Sequence, residues 1–344
     1  MLTNNEISKQ IALGNIAIDN LKQDALEKPN SCTVSITDTL YTFDYSIIDT
    51  KEKNTYLQEV ISGDVNKLKA VKISKDGFLL EPRKVYLAKT NERIATNGYI
   101  PVLNGRTSLS LLGVSIELNS GYLYDKFDGN FLLSIVATKP TIIYPNIEIG
   151  NLTFFDSLDH KSTTSGMLSG EEIKRRMETG DILITPQDNI VINPNSVNLS
   201  LNKNIGYYKD PILDIKKDNP IENITINDDG IILYPDKIYV ARSNEWTETQ
   251  NLIPMMSGRS SLGRLGYHVH CSAGMGSIGY KGYWHMGVRP TMPIKVYENM
   301  KCCQIYYFTA EGEITNTYNG SMQNLTDKEL GSQYHKILKR QKHG

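Results

Sequence analysis

Four cysteines in 344 residues, Cys32, Cys271, Cys302 and Cys303, keep no disulfide-framework spacing and no paired C-x-x-C motif. That excludes a disulfide-stapled small secreted fold and a zinc ribbon. Long apolar runs are also lacking, and no secretory leader is read, so a cytoplasmic protein with no membrane partner is expected. Charge of one sign is lacking too. The 37 Lys and Arg stand against 38 Asp and Glu, interspersed along the chain, so no duplex nucleic acid is expected as a partner.

What is present is a repeat. The segment 258–266, GRSSLGRLG, has a weaker copy, GRTSLSLLG, at 105–113, an offset of 153. DGFLLEPRKVYLA at 76–88 matches DGIILYPDKIYVA at 229–241 with the same offset, and Asn91-Glu92 likewise matches Asn244-Glu245. PTIIYPN at 140–146 and PIKVYEN at 293–299 keep it as well. Upstream, Met1-Leu2-Thr3 and 14–18 match Met167-Leu168-Ser169 and 180–184 at 166. Chance similarity drifts, whereas a duplication holds its offset. The first copy carries about 13 extra residues (166 minus 153), assigned to an expanded loop in the polar, poorly periodic region 37–69. Two domains follow, 1–166 and 167–344.

Each half opens with a short helical pattern, 5–13 and 170–179, where Thr or Ser precedes acidic residues of the first turn and Gly closes the helix. Beyond that, β-branched and aromatic runs alternate with Gly, Pro, Asn and Asp, which reads as two all-β barrels or sandwiches. The stretch 311–344 leaves the strand pattern and ends basic, with Lys336, Lys339, Arg340 and Lys342. It is either a solvated terminus or a lid over an anionic ligand.

The second half resembles the dCTP deaminase branch of the trimeric dUTPase superfamily, nearly end to end. The opening MLS with Glu172-Ile173-Lys174 and residues 180–186 look like the family's first helix and strand. NPNSVNLSL at 193–201 is similar to P-x-S-x-D-L-x-L, with Asn198 in place of Asp. GRSSLGRLG is similar to the family's most specific motif, G-R-S-S-x-x-R-x-G, residues 293–307 follow its closing hairpin, and YNGSMQ at 318–323 resembles Y-x-G-K-Y-Q. The first half resembles the same family more faintly, through 29–31, 76–88, 105–113 and 140–146.

The resemblance implies two tandem distorted, jelly-roll-like β-barrels of the dUTPase and dCTP-deaminase type, each with a short N-terminal helix. It also implies a deoxynucleoside triphosphate as partner, hydrolytic deamination of dCTP or hydrolysis of dUTP, and a homo-oligomer, trimeric or pseudo-trimeric. Arg259, Ser260 and Ser261 take the phosphates in this reading, since guanidinium donors and small hydroxyls converge on phosphate oxygens without crowding. Arg264 lies near the water and base, and Tyr318 and Gln323 close the site. The first half has Leu111 at the second arginine's position, so a site built on Arg106 is expected to be weaker or absent. Any Mg²⁺ is expected to ride on the triphosphate. No protein metal site is expected: His268, His270 and Cys271 have no partner C-x-x-C or further His cluster, and the zinc-deaminase signature H-x-E with P-C-x-x-C is missing.

One residue type is missing where the resemblance demands it. Family deaminases carry a glutamate on the strand after the G-[WY]-x-G turn to move protons as water attacks the pyrimidine. Counting from Gly279-Tyr280-Lys281-Gly282 gives Gly287 there, and Ser134 in the first half; the acidic residue that dUTPases carry before the turn is replaced by Ser277 and Tyr124. His285, two residues from Gly287 on the same strand face, either relays protons or lines an enlarged cavity. Three readings stand: an enzyme that uses His285, a non-catalytic nucleotide binder, and a second-half site for which the first half is only a wall. On the last, Arg106 is dispensable for binding and Arg259 is essential.

Overall fold

The computed structural model describes residues 1–22, 24–43, 56–65, 68–82, 84–117, 123, 125–156, 166–263, 267–269, 273–325 and 330–336. The two sequence offsets reappear as two copies of one set of elements. Helices Asn4–Ala12 and Gly170–Glu178, and strands Ile16–Asp19 and Ile182–Thr185, are 166 residues apart. Strands Tyr99–Gly105 and Leu252–Gly258, short helices Thr107–Ser110 and Ser260–Gly263, and strands Asp128–Ala137 and Lys281–Pro290 are 153 apart. Strands Glu148–Asp156 and Lys301–Thr309 keep that offset too. The expected tandem all-β architecture is the one observed.

Local chemistry explains the boundaries. The Thr3 and Ser169 side chains accept from the Glu6 and Glu172 amides at 3.3 Å, capping the opening helices. In the first half, Val85–Thr96 lies between Thr39–Phe43 and Asp128–Ala137, and a second sheet joins Cys32–Ser35, Glu148–Asp156 and Tyr99–Gly105. Tyr239–Thr249 has the corresponding place in the second half, between Asn204–Tyr208 and Lys281–Pro290. Buried and less buried residues alternate along Val85–Thr96, the period of a strand with one face on the core.

The repeated Asn-Glu landmark proves to be a clamp. Glu92 is buried and accepts from the Ser35 amide at 2.9 Å and hydroxyl at 2.8 Å; Glu245 accepts from the Ser200 amide at 2.8 Å and hydroxyl at 2.5 Å. Asn91 and Asn244 donate to Asn146 and Asn299, at the turns of the repeated Pro segments. Each pair fastens the long central strand to the second sheet where its register with the next strand shifts.

Region 37–69 is not one expanded loop. Thr39–Phe43 and Leu68–Lys72 are sheet strands paired with each other, with the helix Tyr56–Ser62 between them. The added length falls inside this hairpin: 24 residues separate Phe43 from Leu68, against 12 between Tyr208 and Ile221. Polar flanks hide the strand in the sequence, because Leu40, Tyr41 and Thr42 are all buried and give no alternation.

The halves are joined tightly. Strand Leu213–Asp214 pairs in parallel with Thr141–Ile143, and the Tyr144 hydroxyl donates to the Asp214 carboxylate at 3.1 Å. Met1 is buried with Ile253, Ile278 and Phe308 of the second half. One contiguous apolar cluster takes members from both halves, from Leu2 to Tyr334. Among the described residues, no helix is long and apolar enough to cross a membrane.

Candidate functional site

A cavity of about 900 Å³ opens where the halves meet. The first half contributes Lys28, Glu148 and the Arg106-Thr107-Ser108 segment; the second contributes Met275, Ser277, Tyr280, Trp284 and His285, with Tyr318 and Met322 of the C-terminal arm.

Each wall has an identifiable support. Asn30, from the first half's Pro-Asn-Ser landmark, accepts from the Ile278 amide at 3.2 Å and holds the second half's hairpin in place. Gly279, at φ +79°, turns that hairpin, and a Cβ there would come within 2.4 Å of Thr317 and 3.2 Å of the Tyr318 nitrogen. Only glycine permits both the turn and the close approach of the arm. The Tyr318 amide then bonds the Ile278 carbonyl at 2.7 Å. Gln323 bonds the Gly279 carbonyl at 3.0 Å and accepts from the Lys281 amide at 3.0 Å. Tyr280, Trp284 and Tyr318 form an aromatic cluster, with Tyr280 centred 5.0 Å from Trp284 and 5.9 Å from Tyr318.

The first-half motif is packed shut on its far side. Ser108, Leu109, Ser110, Leu111 and Leu112 are all buried. Residues 330–335 of the C-terminal arm cover it: Ser332 donates to the Ser108 carbonyl at 2.6 Å, and the Tyr334 hydroxyl donates to the Glu148 carbonyl at 3.1 Å. The described part of the C-terminal stretch, 330–336, is thus docked on the first half, while Lys339, Arg340 and Lys342 lie outside the described residues.

Among the described lining residues, charge is balanced. Three basic residues, Lys22, Lys28 and Arg106, share the cavity lining with Asp24, Glu27 and Glu148. Arg106 donates to the Glu148 carboxylate, with the Tyr334 ring 5.7 Å away. Burial lowers the Arg106 pKa from its ordinary value. Lys28 donates to the Asn151 side chain, and burial, then the neighbouring Arg106, hold its ammonium well below the ordinary lysine value. Burial pushes the Tyr334 phenol up to about 12.

The residues singled out from sequence divide between two places. His285 and Tyr318 line the cavity; Gln323 fastens the turn beneath it. Arg259 and Ser261 are not among its lining residues, and Arg259 donates instead to the Lys301 carbonyl at 3.2 Å. Ser260 begins the short helix Ser260–Gly263 of that same segment. Arg264, His270, Cys271 and Tyr124 lie outside the described residues. Lys28 and Glu148 carry no motif signal, Asn30 belongs to the Pro-Asn-Ser landmark without being marked as a site residue, and Arg106 is visible only as the weaker copy of Arg259. Among the described residues, no three His, Cys, Asp or Glu side chains gather as a metal site.

Gly287 lies on the strand Lys281–Pro290, and what faces it is backbone of the other half. A Cβ built on it would come within 2.8 Å of the Ser110 carbonyl oxygen and 3.5 Å of the Leu111 Cα. His285 is buried beside it, its Nδ1 3.1 Å from the Tyr283 carbonyl.

Comparison with known proteins gives consistent relatives. A family model described as dCTP deaminase-like matches residues 1–157 and 167–310. The dUMP-forming dCTP deaminase of Leptospira biflexa is 45% identical over 157 residues, 46% of this chain and 90% of that protein. The one from Hathewaya histolytica is 44% identical over 160 residues, 46% of this chain and 92% of that protein. The solved 2'-deoxycytidine 5'-triphosphate deaminase of Agrobacterium tumefaciens superposes with a TM-score of 0.73 at 17% identity, over 90% of this chain and 98% of that one. That likeness extends the fold to both halves together.

Proposed function

The chain belongs to the dCTP deaminase-like family, and from that premise we propose that it binds a pyrimidine deoxynucleotide in the cavity between its halves without deaminating it. The observation that carries this reading is at Gly287. Attack of water on the pyrimidine needs a group that takes and returns a proton beside the ring. Glycine supplies none, and the Ser110 carbonyl occupies the space that a side chain from Gly287 would enter. Glu148, a carboxylate of the lining, is engaged with Arg106, and an ion-paired carboxylate is a weak base. Binding keeps its supports: the aromatic cluster offers flat surfaces for a base, and Ser108, Thr107 and Ser277 offer polar groups at the edge. Any Mg²⁺ would arrive on a triphosphate ligand.

A second reading has its own observation. His285 lines the cavity next to Gly287 in sequence-face terms, and relatives at 45% identity bear the name dCTP deaminase, dUMP-forming. On that reading His285 relays protons and dCTP becomes dUMP. Calorimetric titration with deoxycytidine and deoxyuridine nucleotides, in the presence of Mg²⁺, followed by chromatography of the recovered nucleotide, separates the two. Saturable binding with unchanged nucleotide is expected. Formation of dUMP that disappears in His285→Ala establishes the second reading, and absence of binding to every nucleotide removes both.

A further inference from the structure

The two copies of the Gly-Arg motif differ in what faces the arginine. The position 153 residues after Glu148 is Lys301, so the first half carries a carboxylate where the second carries an ammonium. Lys301 turns away toward Glu245, 3.7 Å distant, and Arg259 meets its carbonyl. Glu148 instead neutralises Arg106 directly, in a pair whose side chains are 9% and 12% exposed, roofed by Tyr334. A buried arginine already holding a carboxylate offers a phosphate little, because an incoming anion must either displace that carboxylate or lie beside it unscreened.

We propose that Glu148 makes this cavity select nucleosides and nucleoside monophosphates over triphosphates. The inference rests on the reading that a nucleotide occupies the cavity, and it names which. A monophosphate brings about two negative charges, and the lining holds groups to meet them without Arg106: the Ser108 and Thr107 segment and Lys28. Among the described lining residues, two further phosphates find no unpaired cation. Lys28, bonded to the Asn151 side chain, is already taken up by the first phosphate, and the exposed Lys22 shares the rim with Asp24 and Glu27. The cavity is large enough for a triphosphate, so charge and not volume sets the preference.

Calorimetric titration of the full chain with deoxycytidine, dCMP, dCDP and dCTP, with and without Mg²⁺, tests this. Affinity is expected to fall from dCMP to dCTP by about tenfold or more, equivalent to one power of ten in Kd. Equal or tighter binding of dCTP overturns the inference while leaving nucleotide binding intact. Failure of all four to bind removes the underlying reading instead. The variant Glu148→Gln releases Arg106 while keeping the shape of the side chain. It is expected to improve dCTP binding relative to dCMP by about tenfold and to steepen the salt dependence of dCTP binding. An unchanged ratio in a variant that melts within a few degrees of the parent contradicts the role of Glu148. Should Glu148→Gln fail to fold, the ranking of the four ligands on the parent chain still decides the matter.

Discussion

Gly287 of the second half and Ser110 of the first are in backbone contact, with the Ser110 carbonyl 2.8 Å from where a Cβ on Gly287 would be. The Ser110 backbone thus fills the space that a side chain from Gly287 would enter. Restoring the side chain is expected to fail: Gly287→Glu should show no deamination of dCTP. It should also lose about 1–3 kcal/mol of stability, the usual cost of overpacking a close contact. Urea denaturation and an ammonia-release assay check the two parts separately.

The aromatic wall makes a different demand. Tyr318→Ala removes the half-buried ring tilted against Tyr280. Binding of the best nucleotide is expected to weaken about three- to tenfold, the worth of one aromatic contact, with a small change in melting temperature. Calorimetry on the variant gives the number.

Arg259 separates the cavity from the motif that sequence favours. Because it bonds the Lys301 carbonyl and does not line the cavity, Arg259→Ala should leave nucleotide affinity within about twofold of the parent, as expected for a distant, independent site. A large loss in the same titration would place a ligand at the second-half motif.

Much of the fold was legible because duplication leaves a metric: offsets of 166 and 153 locate helices and strands in both halves to within a residue or two. The helix caps at Thr3 and Ser169 were legible for the same local reasons that form them. Strand Thr39–Phe43 was not, since burial on both faces erases alternation. The site was legible by halves. The positions of His285, Tyr318 and Gly287 follow from the motifs and from counting along them, but which arginine lies near them depends on how two domains dock. That is decided by contacts such as Asn30 with Ile278 and Ser332 with Ser108, between residues more than 200 positions apart. No spacing rule spans such a distance.

The buried Asn-Glu clamps predict stability effects independent of ligand. Glu245→Ala strips the Ser200 amide and hydroxyl of their acceptor. It should cost about 3 kcal/mol, the range for hydrogen bonds to a buried charge, and leave ligand ranking unchanged. Chemical denaturation measures the first and calorimetry the second.

A pH effect is expected where the halves meet at Glu311, whose backbone bonds Met1 and Thr3. Burial first, and a proton shared with Asp156 second, raise its carboxyl from 4.5 to about 7. The folded state therefore holds a proton that the unfolded chain releases near 4.5. The stabilisation is complete below that value and is lost as pH rises through about 7. Glu311→Gln should flatten this part of the stability profile, read by urea midpoints across the same range.

A cavity that holds a pyrimidine deoxynucleotide without transforming it must return what it takes up. Equilibrium dialysis of the full chain against labelled deoxycytidine nucleotides with Mg²⁺, with chromatography of what the protein retains, measures this. Saturable retention of chemically unchanged nucleotide, weakened by Tyr318→Ala, is the predicted result. Recovery of a deoxyuridine nucleotide, or no retention at all, would contradict it.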